Sequence, residues 1–542
     1  MFSRGISILT GSAVDVGAIP APRPWDALTD RCAQAALRSL QAPARFMPLS
    51  ERLKEPERYA ELQRARREQL EAFLWIEPNA AALEKMLDLI SQICEEGAWS
   101  AGGAAFDDPA HPAIDLQAAE TGMLLAWLLR RHGARLSECN PRIPSVLLGE
   151  VRRRLLGPIL AHEDYPFMRL GGRRPAQVAA DLLLSCLMLE KSPARRQQPV
   201  KLLLRLLDEI CAVPQSPRAP LLDRLADACA VADLARLLKR LTRGELDLTR
   251  SQPPESWLDG MLIPWITDDY FFDTAGDALR PPLPGIDLFR LGHLAQDRAL
   301  CALGAQLHRA CARDSDSLNG RVLSMEYMRA ALDESARPPR LKRAATEGAA
   351  LMVSRVDPLY AAIAGDGGRG NAGDVALFYE NMPVLTVAGG EARSLPLIDG
   401  RAPLSRPAQP PAAEANFGDG RDLMSVDLTD TYPAQCALSA YQRTLMVSRG
   451  DATVRLVDAF EFDRAPEQLC FRFVSAQRPL SLRSGVRLGP VLLRWDGEML
   501  PEISELPARD GFPGGWLLCF TLRPAPSRLI CGFSFEAAAP RA

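Results

Sequence analysis

Side chains able to bind a carboxylate and to transfer a proton lie close together in one stretch of the sequence. His162, Tyr165, Arg173 and Arg174 fall on a predicted loop between two predicted helices. A guanidinium group binds a carboxylate through parallel hydrogen bonds, and a nearby tyrosine or histidine can act as base or acid. We therefore predict Tyr165 and His162 as catalytic candidates and Arg173 and Arg174 as substrate-binding candidates. The alternative is that His162 ends a helix and that the arginines are solvated.

Four further residues are candidates for binding a substrate. Tyr270 lies in a Trp- and Asp-rich connection, and Glu120 lies on the apolar stripe of a predicted helix. Asn371 and Asp374 lie in a glycine-rich loop. Each has a structural alternative: Tyr270 fixes the connection onto the helices, Glu120 forms an ion pair, and Asn371 and Asp374 form turns.

Histidine and cysteine usage argues against a metal site. The chain has five histidines, none after His308, and its twelve cysteines include no Cys-x-x-Cys pair. Neither a disulfide framework nor a zinc ribbon is expected from this pattern. A phosphate-binding glycine loop, a nucleophile elbow and a His-Glu-x-x-His motif are also missing from the sequence. We predict no metal and no cofactor.

The overall composition is that of a folded protein without a basic field. The 542 residues are 47% hydrophobic and 24% charged, with a formal net charge of −3. A nucleic-acid partner is therefore not expected. No segment approaches the roughly 20 apolar residues of a membrane span, and the N-terminus is a poor signal peptide. We expect a cytoplasmic protein, with periplasmic export lacking a recognisable signal peptide as the alternative.

Apolar periodicity divides the chain into two regions. After an N-terminal extension (1–60), apolar residues recur at three- and four-residue spacing across 61–340, which predicts helices near 176–190, 194–213, 219–241 and 285–312. Alternating segments then predict strands at 452–462, 468–476, 489–495, 515–523 and 527–536. The expected fold class is multidomain α+β: an α/α toroid-like helical domain followed by an antiparallel β-sandwich over 345–542.

Several short stretches of the sequence, taken in their order along the chain, resemble stretches of the heparinase II/III-like polysaccharide lyases. Residues 114–121 (IDLQAAET) resemble the start of a helix in that family, and 268–292 is similar to its "DDGYFVNF…LYRFG" segment. In the strand-rich region, 425–433 (SVDLTDTYP) and 441–445 (YQRTL) look like a pair of its strands. The resemblance implies cleavage of uronic-acid polysaccharides by β-elimination, with Asn or His and Tyr from the helical domain, a His from the sandwich and often a zinc ion.

The sequence departs from the family pattern at its usual catalytic and zinc-binding positions. The family's histidine-rich sandwich motif corresponds to 370–389, which contains no histidine and has Val387 where the family has a metal-binding aspartate. The family's catalytic tyrosine motif corresponds to the proline-rich stretch 214–221. Two functions are therefore expected: a divergent lyase that acts on a uronic-acid polysaccharide through the candidate residues above, or a non-catalytic relative that binds a carbohydrate or another protein.

Overall fold

A computed structural model describes most of the chain and divides it into two compact units. One unit comprises 1–214, 223–255 and 284–338, and the other comprises 215–222, 256–283 and 339–542. The described residues are 1–11, 14–19, 21–22, 47–170, 172–215, 219–251, 253–258, 260–272, 279–280, 283–311, 313–365, 372–386, 393–404, 411–508 and 514–537.

The first unit is helical, as its apolar periodicity predicts. In the helix Pro175–Leu189, every residue after Pro175 is buried. The helices are α1 (Ile6–Thr10), α2 (Leu49–Lys54), α3 (Pro56–Glu71), α4 (Ala80–Glu95), α5 (Leu116–Cys139), α6 (Ile143–Val151), α7 (Pro158–Ala161), α8 (Pro175–Leu189), α9 (Pro193–Cys211), α10 (Leu221–Leu241), α12 (Gly285–Ala295), α13 (Arg298–Ala310), α14 (Leu318–Ser324) and α15 (Met328–Asp333), while α11 (Glu255–Leu258) lies at the border with the second unit.

The prediction of a single helix over 285–312 was wrong. Gln296 has a left-handed backbone (φ 59°), which ends α12, and Asp297 begins α13 by accepting hydrogen bonds from two backbone amides. The two helices then pack closely enough that glycine is required. A Cβ on Gly285 would lie 2.3 Å from His308 N, and one on Gly304 would lie 2.2 Å from Phe289 N.

The connection between the helical and strand-rich parts of the sequence folds into a small sheet within the second unit. Strands β1 (Trp265–Thr267), β2 (Tyr270–Phe272) and β3 (Leu279–Arg280) pair antiparallel. Apolar residues of β1 and β2 join a core cluster with β5 (Leu351–Val356), β6 (Leu359–Ala364) and β7 (Val375–Tyr379). Tyr270 and Phe272 of this connection thus pack in a cluster with strands of a sheet, whereas the structural alternative for Tyr270 expected packing onto the helices.

The second unit is an antiparallel sandwich, as predicted. One sheet has the strand order β10-β11-β12-β13-β20-β17-β16-β15, and the other has the order β18-β19-β14-β8-β7-β6-β5-β4, with β9 beside β14. The remaining strands are β4 (Arg343–Ala345), β8 (Met382–Leu385), β9 (Leu397–Ile398), β10 (Ala413–Phe417), β11 (Arg421–Asp427), β12 (Leu438–Ser448), β13 (Thr453–Phe462), β14 (Leu469–Ser475), β15 (Pro479–Leu482), β16 (Gly485–Leu488), β17 (Val491–Trp495), β18 (Pro501–Leu506), β19 (Gly515–Leu522) and β20 (Arg528–Ala537).

Side chains from both sheets form the sandwich core. All five predicted strands are confirmed within two residues at each end, as β13, β14, β17, β19 and β20. Their alternation of apolar and polar residues places one side of each in the core. An ion pair is fully buried among these apolar residues: Arg443 donates to both carboxylate oxygens of Asp458, at 2.7 and 2.9 Å. Tyr441 donates to the same carboxylate.

None of the described helices combines the length and the apolar composition needed to cross a bilayer.

Candidate functional site

A cavity of about 750 Å³ lies within the helical unit and is bordered by many charged groups. Residues from α3, α5, α8, α14 and the loops beside them form its wall. They are Arg64, Arg67, Glu68, Glu71, Ala101, Ile114, Asp115, Leu116, Gln117, Glu120, Thr121, Leu124, Pro166, Phe167, Gly172, Arg173, Val178, Asp316, Leu318 and Arg321.

The phrase IDLQAAET at 114–121 builds one side of this cavity. Asp115 begins α5 by accepting a hydrogen bond from Ala118 N (2.9 Å), and its other oxygen accepts one from Ala101 N (2.7 Å). The helix then turns Gln117, Glu120 and Thr121 to the cavity. These three positions share one helical face because they are three and four residues apart.

Two of the arginines in the wall are fully engaged by the protein. Arg321 donates to both carboxylate oxygens of Glu71, at 2.6 and 2.7 Å, and to Ser315 O at 3.0 Å. Arg67 donates to Thr121, to Gln63 O and to the buried Glu96. These charge pairs, bidentate at Arg321, hold the helices together, and the further hydrogen bonds leave little of either guanidinium for a ligand.

Arg173 differs because much of it faces solvent. Its side chain is 64% exposed, and its described hydrogen bonds use only Nε, 3.0 Å from each oxygen of Asp223. Arg174, by contrast, is buried, pairs with Asp223 and Asp316, and does not line the cavity. Of the two predicted carboxylate binders, the structure therefore brings only Arg173 to the cavity.

Glu120 is a carboxyl of the cavity wall whose pKa is perturbed by its surroundings. Its Oε1 accepts hydrogen bonds from Gln177 Nε2 (2.9 Å) and Leu318 N (3.3 Å). Burial raises the pKa of this carboxyl, against the opposing effect of the Arg321 charge. A carboxyl whose pKa is raised beside a cavity is a candidate general acid or base.

A second carboxyl, that of the buried Asp181, lies close enough to Glu120 to interact with it electrostatically. Asp181 is fully enclosed and accepts a hydrogen bond from Asn319 Nδ2 (2.5 Å), whose amide oxygen in turn accepts one from Trp127 Nε1 (2.7 Å). Burial raises the pKa of Asp181 well above its usual value, and the negative charge of Glu120 raises it further. The two carboxyls therefore disfavour each other's ionised form.

His162 and Tyr165 lie in the same loop as Arg173 but not on the cavity wall. Tyr165 is 2% exposed, its hydroxyl donates to Pro112 O (3.1 Å), and burial raises its pKa to about 12. His162 Nε2 is 2.7 Å from Ala110 O. The cavity wall thus includes Arg173 but neither of these two residues, both of which contact the loop at 107–115.

The remaining predicted residues belong to the second unit. Tyr270 packs its ring against Phe378 of β7, with centroids 5.3 Å apart. Asp374 is fully buried, and burial raises the pKa of its carboxyl to about 6. Asn371 lies outside the described residues. Neither Tyr270 nor Asp374 is among the residues that line the cavity of the helical unit.

The zinc ion implied by the family resemblance does not fit the sandwich. This unit contains no histidine, and within its described residues no group of His, Cys, Asp and Glu side chains converges at ligand distances. The fully buried Asp374 offers no accessible oxygen there. No role for zinc in the sandwich follows.

Sequence reasoning missed the charged face of α3. Arg64, Arg67, Glu68 and Glu71 line the cavity, and their spacing of three and four residues places them on one helical stripe. The available signal was the charged stripe itself, on a helix that also has a buried side. Because the expected N-terminal extension ended at residue 60, within α3 (Pro56–Glu71), this helix was not read as a unit.

Comparisons with known proteins identify the fold. No protein-family model matches the chain, and no curated protein sequence matches it. Solved structures do match. Heparan sulfate lyase HepC from Pedobacter heparinus is 10% identical, with a TM-score of 0.54 over 100% of this chain and 88% of that one. The fold is therefore that of a polysaccharide lyase.

Two further structures support the same fold. A heparinase III is 10% identical with a TM-score of 0.54, over 90% of this chain and 76% of that one. A Paenibacillus xanthan lyase is 10% identical with a TM-score of 0.58, over 99% of this chain and 60% of that one. The predicted resemblance and fold class are confirmed, and at this identity the likeness establishes the fold alone.

Proposed function

We propose that the helical unit binds a segment of an anionic, uronic-acid-containing polysaccharide in its cavity. The observation that carries the proposal is the exposed guanidinium of Arg173 at a cavity of about 750 Å³. This volume lies within the roughly 300–1,000 Å³ typical of ligand sites. The lyase fold supports the assignment of a sugar as the ligand class.

Arg173 supplies the carboxylate recognition in this proposal. Asp223 holds its Nε, which orients the guanidinium and leaves the edge formed by the two terminal nitrogens for a ligand. A planar edge with two parallel N–H groups matches a uronate carboxylate. Arg64, an exposed residue of the same wall, adds a second positive charge. A charge-assisted bond of this kind contributes about 1.5–3 kcal/mol.

A second candidate function, β-elimination, is favoured by Glu120. In this step the proton on C5 of the uronate passes to a carboxylate oxygen of Glu120, and the C–H electron pair forms the C4–C5 double bond. The bond from C4 to the glycosidic oxygen breaks, and that oxygen takes a proton from the carboxyl or from water. The raised pKa of Glu120 suits both transfers. Tyr165 and His162, the acid and base predicted from the sequence, do not line the cavity.

Binding is tested with a panel of fluorescently labelled uronic-acid oligosaccharides and neutral oligosaccharides of equal length. The Arg173→Ala variant is expected to bind the acidic ligand about 10- to 100-fold more weakly, the equivalent of 1.5–3 kcal/mol. Arg153→Ala is the matched control, because Arg153 is 57% exposed and also paired with a carboxylate, but lies outside the cavity wall. Equal losses in both variants, or equal affinity for neutral and acidic ligands, would refute the proposal.

Elimination is tested on the same polymers by the ultraviolet absorbance of the unsaturated product. Glu120→Gln should abolish the absorbance change while keeping the affinity for the oligosaccharide, since the amide retains the shape of the side chain. Binding without any absorbance change in the unmodified protein assigns the non-catalytic function. Silence in both assays would reject a carbohydrate ligand and favour a protein partner.

A further inference from the structure

Three side chains with metal-binding chemistry converge outside the cavity wall. One donor atom from each of His111, His162 and Asp164 lies within 4.8 Å of the other two. His111 Nε2 is 2.7 Å from Asp164 Oδ1, and the two imidazole rings have centroids 4.3 Å apart. No other group of His, Cys, Asp and Glu meets this distance in the part of the chain that the structure describes.

The backbone holds both histidines in place without an ion. His111 follows a tight turn in which its own N–H donates to Asp108 O (3.1 Å) and Ala110 N donates to Asp108 Oδ1 (2.9 Å). His162 directly follows α7, and its N–H donates to Pro158 O (3.0 Å). A site whose residues are positioned in advance loses less conformational entropy when it binds its ligand.

The surroundings of the three side chains supply supporting contacts. The ring of Tyr165 lies beside His111, with the two ring centroids 5.0 Å apart, and the Tyr165 hydroxyl donates a hydrogen bond to Pro112 O. His162 Nε2 is 2.7 Å from Ala110 O. Metal-binding histidines commonly use one ring nitrogen to donate to a backbone carbonyl, which fixes the tautomer and presents the other nitrogen to the ion.

We propose that His111, His162 and Asp164 bind a divalent transition-metal ion such as Zn²⁺, with water completing its coordination. Two imidazoles and one carboxylate suit zinc and related ions better than Mg²⁺ or Ca²⁺, which prefer oxygen ligands. With bonds of roughly 2.0–2.2 Å, tetrahedral ligands lie on the order of 3.4 Å apart. The donor atoms already lie within 4.8 Å of one another, and rotation of the side chains would bring them to that spacing.

The bound ion would join two segments that both continue into the cavity wall. The loop before α5 carries His111 and then Ile114, and the loop after α7 carries His162 and then Phe167. Cross-linking them through a metal fixes the edge of the cavity. This inference does not depend on a polysaccharide ligand, because metal binding is measured without one.

The experiment is equilibrium dialysis of the full chain, first stripped with chelator, against Zn²⁺ alone, with elemental analysis of the retained metal. The unmodified protein is expected to bind one ion through these residues. The double variant H111A/H162A should lose more than about 100-fold in affinity, because even a residue that only supports a ligand commonly contributes about 10- to 100-fold. His293→Ala, which removes an exposed histidine of α12, is the matched control and should bind as the unmodified protein does.

Asp164→Asn provides a second, milder variant because Asp164 is exposed and its amide replacement keeps the shape. Far-ultraviolet circular dichroism confirms that each variant is folded. Titration with Co²⁺ reports the ligand field directly, and its visible absorption should weaken in Asp164→Asn. Zinc binding that is unchanged in H111A/H162A, or the absence of a zinc site in the unmodified protein, would overturn the proposal.

Discussion

Replacement of Asp227 by asparagine should change how the stability of the helical unit depends on pH. Asp227 on α10 is buried, and its Oδ1 accepts a hydrogen bond from Gln177 N (2.8 Å) at the start of α8. It thereby caps a helix whose own N-cap, Arg174, makes no side-chain cap. Burial nevertheless raises the pKa of this carboxyl from 3.8 to about 7, although the backbone N–H of Gln177 and the charge of Arg174 act in the opposite direction.

The sign of the effect follows from proton uptake. Between pH 3.8 and about 7 the folded protein keeps a proton on Asp227 that the unfolded chain releases, so the free energy of unfolding falls as the pH rises through this interval. At about 1.4 kcal/mol for each pKa unit, the portion between pH 5 and 7 amounts to about 3 kcal/mol. The amide of the variant does not titrate, so the variant lacks this loss. The advantage of Asp227→Asn over the unmodified protein should therefore grow by about 3 kcal/mol between pH 5 and 8.5.

Differential scanning calorimetry at pH 5, 7 and 8.5 measures this difference. For a unit of this size, about 3 kcal/mol corresponds to roughly 5 °C in the midpoint of unfolding. Asp88→Asn, which neutralises an exposed aspartate of α4, controls for the change in net charge. Buried groups such as Asp181 are common to both proteins and cancel in the comparison. A difference that stays constant across the pH range, or that reverses in sign, would refute the reasoning.

Two further outcomes concern packing. Arg443→Met should lower the free energy of unfolding of the sandwich in urea by about 3–5 kcal/mol, because it leaves the carboxylate of Asp458 buried without its partner; a loss under about 1 kcal/mol would contradict this. Gly304→Ala should destabilise the helical unit by about 1–3 kcal/mol through overlap with Phe289 N, whereas Gly133→Ala, which meets no atom within 4 Å, should stabilise it by about 0.5–1 kcal/mol. Equal changes in the free energy of unfolding in the two variants would contradict this prediction, because helix propensity alone would then account for both.

Periodicity in the sequence was sufficient to predict most of the elements. The strand Thr453–Phe462 shows an almost strict alternation of buried and less buried residues, and the helix Pro175–Leu189 is apolar enough to be recognised from composition. The break at Gln296 was missed because a single residue in a left-handed conformation leaves no apolar signature. It depends on the packing of Gly285 against the backbone of the following helix, which is a tertiary effect.

The candidate site was less predictable because it depends on distances between segments. Arg173 and Arg174 are adjacent in the chain, and nothing in their sequence context distinguishes the exposed residue from the buried one. Both pair with Asp223 on another helix, and only the buried Arg174 also pairs with Asp316. His111 and Asp164, 53 residues apart, meet only because the loops that carry them are folded against each other. Spacing along a sequence reports neighbours on one helix or strand, not such encounters.

The buried Arg443 has a consequence for how the two sheets of the sandwich are held together. Besides Asp458, it donates to the backbone oxygens of Gly373 (3.1 Å) and Ser394 (2.5 Å). It therefore ties, from inside the core, two points of the chain that lie on either side of β7 and β8. Those two strands belong to one sheet, whereas Arg443 lies on β12 of the other. One side chain thus couples the two layers of the sandwich, so that its loss would loosen a hairpin of one sheet as well as the charge pair of the other.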